Sequence, residues 1–70
     1  MDEISIGAQG IRLGQLLKLV GWAETGGMAK ELLASGDVTV NGRPETRRGA
    51  QLRPGDVIAA AGRQVRVVSG

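Results

Sequence analysis

Seventy residues with a net charge of +2, no cysteine and no histidine leave room for one small domain. They exclude a disulfide framework or a thiolate or imidazole metal site. No apolar run approaches the roughly 20 residues that cross a bilayer, and Met1-Asp2-Glu3 is acidic where a secretory signal opens on basic residues, so a cytoplasmic domain over residues 1–70, away from membranes, is expected.

In chain order, Ile4-Ser5-Ile6 reads as a short strand and Gly7-Ala8-Gln9-Gly10 as a turn. Leu13, Leu16, Leu17 and Val20 then recur at helical spacing, predicting a helix over residues 11–20 with Gly21 as its left-handed terminator. Gly14 is the weak point of that pattern, costing about 1 kcal/mol relative to alanine. Trp22, the only aromatic, follows in the connection and is expected to cover the core rather than stack on a base. Thr25 suits the N-cap of a second helix over 26–35, whose apolar face is Met28, Ala29, Leu32 and Leu33, with Gly36 as its stop.

At Asp37 the period shortens to two. Val38 and Val40 face one side of a strand and Thr39 the other, and Asn41-Gly42 predicts a type I′ hairpin turn. Pro44 lacks a ladder donor, which places the return strand at an edge. Leu52 leads to a type II turn at Pro54-Gly55, then a strand Val57-Ile58-Ala59, a break at Gly62 and a last strand over 64–68. Helix, helix and several short strands make an α+β fold that contains a two-helix hairpin. The leucine faces are expected to pack on Val38, Val40, Val57, Ile58 and Val67.

Charge is distributed unevenly. Residues 1–37 hold three bases against five acids, whereas residues 38–70 hold six arginines against two acids. A guanidinium fork matches phosphate in a bidentate way, although the same arginines would also serve to solubilise a small sheet. Catalysis is not expected. Histidine, cysteine and tyrosine are absent, so the usual bases and nucleophiles are missing, and no strand–Gly-rich–helix arrangement for a nucleotide occurs. No cofactor is expected either. Thr25-Gly26-Gly27 leaves first-turn amides unscreened at a helix start, where a phosphate could sit with Lys30 one turn along. The same glycines could equally relieve crowding between the helices.

Arg12-Leu13, Ala29-Lys30-Glu31-Leu32-Leu33, Gly36-Asp37-Val38-Thr39-Val40-Asn41-Gly42 and Pro54-Gly55-Asp56-Val57-Ile58 together resemble the S4 RNA-binding domain. The resemblance covers about residues 11–60 and is nearest to small bacterial proteins that consist of little more than one such domain. It implies a two-helix hairpin packed on a small curved sheet of short strands in which antiparallel pairing dominates, the αL motif, that binds structured RNA of the ribosomal or transfer class. Carried over by position, its RNA-facing residues are Arg12, Thr25, Lys30, Asn41 and Arg43, with Arg47 and Arg48 extending the surface and Gly26 and Gly27 joining it as the open start of the second helix. Two departures stand out. Many members have aspartate where this chain has Gly14, and a Ser-Arg pair where it has Thr25-Gly26.

The leading expectation is therefore a non-enzymatic, monomeric RNA-binding module, with the ribosome as a further partner. Its arginines would neutralise phosphates of a folded RNA read by shape and backbone. A protein-interaction or ribosome-associated adaptor using the same fold without RNA contact is the second reading. A sulfur-carrier-like β-grasp protein is a third, since Val-Asn-Gly and Gly-Asp-Val occur there too, but two helices precede the Val-Asn-Gly strand here.

Overall fold

Alternation and turn chemistry build the sheet, and the leucine stripe builds the layer that covers it. The structure is a computed structural model and describes residues 2–69. Its elements run β1 (Asp2–Ile6), β2 (Ile11–Arg12), α1 (Leu13–Leu19), α2 (Gly26–Ala34), β3 (Thr39–Val40), β4 (Arg43–Pro44), β5 (Gln51–Leu52), β6 (Val57–Ala60) and β7 (Arg63–Ser69). Five strands form one sheet in the order β1-β7-β6-β3-β4, and β2 pairs with β5 in a separate two-stranded ribbon. Every pairing is antiparallel except β1 with β7, which is parallel. The expected α+β architecture is thus present.

Helix α1 begins two residues later than its apolar spacing suggests. Ile11 and Arg12 are drawn into extended conformation by pairing with Leu52 and Gln51, and the Arg12 backbone N–H donates to Gln15 Oε1 at 3.1 Å, as in half of a capping box. The helix ends in a Schellman arrangement. Gly21 N–H donates to Lys18 O and Trp22 N–H to Leu17 O. Thr25 caps α2 as its position predicts, its hydroxyl accepting from Met28 N–H at 3.1 Å.

The core is wholly aliphatic. Leu13, Leu16, Leu17, Ala29 and Leu33 from the helices meet Ile6, Val38, Leu52, Ile58, Ala60, Val65 and Val67, all buried. Register fixes which β residues take part. Ile58 lies opposite Val40 and Val65 and points inward, so its neighbour Val57 points to the other face and is only half-buried. Met28 likewise lies outside the expected apolar face of α2, at 45% exposure. Trp22 and Leu32 are half-buried and pack against the core's edge, in keeping with a covering role for the indole.

Two hairpins turn through positive φ. Asn41 and Gly42 have φ of 54° and 83°, the pair of left-handed residues that a type I′ turn requires. Ala61 and Gly62 repeat the pattern at 51° and 79°, a turn that alanine does not advertise in sequence. Pro44 sits in β4, at the edge of the sheet.

Candidate nucleic-acid interface

The segment between β4 and β5 lies across the beginning of α1. Leu13 N–H donates to Ala50 O and Gly14 N–H to Arg48 O, both at 2.9 Å. These two carbonyls satisfy first-turn amides that a helix otherwise leaves without partners. From the other direction, Arg12 Nη1 donates to Gly49 O at 3.0 Å. Residues 48–50 are therefore held by three hydrogen bonds to Arg12, Leu13 and Gly14.

Between this segment and the two helices lies a cleft of about 210 Å³, lined by Arg12, Gly14, Gln15, Lys18, Gly26, Ala29, Arg48 and Gly49. Three cations from three stretches of chain meet there. Arg12 comes from β2, Lys18 from the exposed side of α1, and Arg48 from the connecting segment; all three are exposed. Three of its eight lining residues are glycines, Gly14, Gly26 and Gly49, of which Gly14 is buried. The two departures from the S4 pattern, Gly14 and Gly26, both lie beneath the Arg48 side chain.

The other candidates fall elsewhere. Thr25 is engaged in capping α2, with Gly27 beside its hydroxyl. Lys30 is exposed on α2, and Arg43 is exposed on edge strand β4; neither lines the cleft. Arg47 is turned toward Glu45. Its Nε and Nη2 donate to the two carboxylate oxygens at 3.2 and 3.0 Å, and the same carboxylate accepts the backbone N–H groups of Thr46 and Arg47. The Arg47 side-chain hydrogen bonds, with help from the amides, pull the Glu45 pKa down from 4.5 to about 2, and the carboxylate pushes that of Arg47 up.

Asn41 is occupied internally. Its Nδ2 donates to Asp56 Oδ1 at 3.0 Å, and its Oδ1 accepts from Val57 N–H at 2.9 Å. Asp56 Oδ2 in turn accepts from Arg53 N–H at 2.9 Å. One side chain thereby ties the Asn41-Gly42 turn to the Pro54-Gly55 turn. Lys18 is the cleft cation that sequence reading passed over. The available signal was its spacing, since it falls four residues after Gly14 and three after Gln15, on the strip of α1 between its leucines.

Comparison with known families is decisive at this point: the S4 domain matches residues 4–68. The chain belongs to the S4 domain family. It is 48% identical over 61 residues to "Probable ribosome maturation protein RlbA" of Bacillus subtilis, covering 87% of this chain and 86% of that one. It is 36% identical over 53 residues to "Small ribosomal subunit protein uS4" of Akkermansia muciniphila, of which the match covers 26%. The solution structure of YbcJ from E. coli, described as revealing an "alfaL motif involved in RNA-binding", superimposes with a TM-score of 0.75 at 40% identity. That match covers 99% of this chain and 89% of YbcJ. The S4 fold and its αL helical pair are thus shared across the chain. Among the described residues, no helix is long and apolar enough to cross a membrane.

Proposed function

We propose that this S4 domain is a non-enzymatic module that binds structured RNA of the ribosomal or transfer class in the cytoplasm. The observation that carries the reading is the meeting of Arg12, Lys18 and Arg48 around one glycine-floored cleft at the helical pair. Cations from separate segments, fixed by a hydrogen-bonded backbone, suit phosphates whose spacing is set by a folded RNA. A single half-buried tryptophan offers little for stacking successive unpaired bases. The name of the Bacillus relative and the description of YbcJ support the same class of partner.

Within this reading the candidate residues divide by role. Arg12, Lys18 and Arg48 meet phosphate, with Gly26 and Gly27 leaving the start of α2 open and Thr25 setting its direction. Lys30, one turn beyond Gly26 on α2, and Arg43 on edge strand β4 add positive charge outside the cleft, Arg47 is held by Glu45, and Asn41 holds the hairpin in shape. The module acts as a monomer. Gel-shift measurements with purified ribosomal and transfer RNA at two salt concentrations test the proposal, alongside sequencing of RNA crosslinked to the protein in cells. Salt-sensitive binding to one of these RNA classes is expected. Salt-independent or absent binding would favour an adaptor that docks on protein.

A further inference from the structure

Gly14 is buried in the first turn of a helix, where alanine would ordinarily be the better residue by about 1 kcal/mol. A Cβ placed on it would collide with Arg48 Cγ, and would come within 3.1 Å of Arg48 Cδ and 3.3 Å of Arg48 O. The arginine cannot retreat as a unit. Its carbonyl accepts from Gly14 N–H at 2.9 Å, and the next two carbonyls are held by Arg12 Nη1 and Leu13 N–H. The backbone of Arg48 is thus fastened to the residue over which its side chain runs. At the far end of that side chain, a Cβ on Gly26 would lie 3.8 Å from Nη1, so the guanidinium reaches the first residue of α2.

Resting on the RNA-binding reading, we propose that Gly14 is a positioning residue for RNA binding. It forms a side-chain-free seat that lays the aliphatic stem of Arg48 along α1 and aims its guanidinium over the opening of α2, toward an RNA phosphate. An exposed arginine otherwise samples many rotamers, and confining it beforehand lowers the ordering cost of each phosphate contact. The same seat explains why Arg48, and not its neighbour Arg47, lines the cleft. Arg47 has no such groove and folds back on Glu45.

Gly14→Ala tests this without altering charge, and Arg48→Ala provides the reference. Affinity for a ribosomal RNA hairpin selected by gel shift is measured for the wild type, both single variants and the double variant, at several salt concentrations. Gly14→Ala should weaken binding by roughly tenfold, the scale of one charge-assisted hydrogen bond. It should also flatten the salt dependence as Arg48→Ala does, and the double variant should bind no worse than Arg48→Ala alone. Wild-type affinity in Gly14→Ala, or losses that add in the double variant, would overturn the seat while leaving RNA binding intact. Absence of RNA binding by the wild type would instead overturn the underlying reading, and the role of the seat with it. If Gly14→Ala melts early, Arg48→Ala removes the colliding Cγ and Cδ but leaves the carbonyl 3.3 Å away, so the double variant should melt at a higher temperature than Gly14→Ala without fully reaching the wild type. No rise at all would equally reject the seat.

Discussion

Glu45 gathers two backbone amides and a guanidinium onto one carboxylate that is only 20% exposed, and each of these hydrogen bonds favours its ionised form. Its folded pKa lies below its ordinary value, near 2 against 4.5. The stabilisation is therefore fully present above about pH 4.5 and is lost as pH falls through about 2. The Thr46 and Arg47 amide resonances should titrate with a midpoint near 2; a midpoint at the ordinary carboxylate value would show the arrangement is not formed. Asn41 provides a second test at this scale. Asn41→Gly keeps the left-handed turn but removes both side-chain hydrogen bonds, and should cost about 1–2 kcal/mol in thermal or denaturant unfolding. Asn41→Ala should cost about 1 kcal/mol more than Asn41→Gly because, unlike glycine, alanine keeps a Cβ at φ 54°. Equal stabilities for the two would contradict the turn geometry. The Asn41–Asp56 partnership could not be read from the sequence, because the two residues are 15 positions apart and local pattern carries no information on such pairs.

Elements were more legible than partners. Leucine spacing marked both helices, Thr25 and Gly36 bounded the second, and Asn41-Gly42 marked the hairpin, since each signal is local physics. The start of α1 was misplaced because its first two residues are claimed by pairing with β5, a tertiary demand that overrides helical periodicity. Val57 was misassigned to the core because adjacent strand residues cannot both point inward. The helical layer also ranks its leucines. Leu16→Ala and Leu33→Ala, at 0% and 2% exposure, should each cost about 2–5 kcal/mol, enough to unfold a domain of this size. Leu32→Ala, half-buried at the core's edge, should cost clearly less. Denaturant unfolding of the three variants checks the order, and a Leu32 variant as damaged as Leu33 would mean that the face of α2 is wrongly assigned.

For the whole molecule, the sequence showed where positive charge accumulates along the chain but not which arginines converge. Arg47 and Arg48 are adjacent and look equivalent; the hydrogen bonds of residues 48–50 to α1 separate them. Lys18, from the acidic half, joins the cleft instead. Arg63 and Arg66 lie on β7, and Arg66 is registered between Glu3 and Val57 in the five-stranded sheet, outside the cleft. Net charge alone would make these pairs interchangeable, whereas a defined site would not. The most direct measurement is the affinity for a structured RNA as a function of salt, for Lys18→Ala/Arg48→Ala against Arg63→Ala/Arg66→Ala, two double variants of equal formal charge. Each phosphate contact contributes roughly 0.9 to the slope of log affinity against log salt for B-DNA, taken as comparable for duplex RNA. The cleft variant should bind at least about tenfold more weakly, with its slope flattened by up to about 2, while the β7 variant keeps the wild-type slope. Equal losses and equal slopes in the two would mean diffuse attraction without a site, and would contradict the cleft as the place where RNA binds.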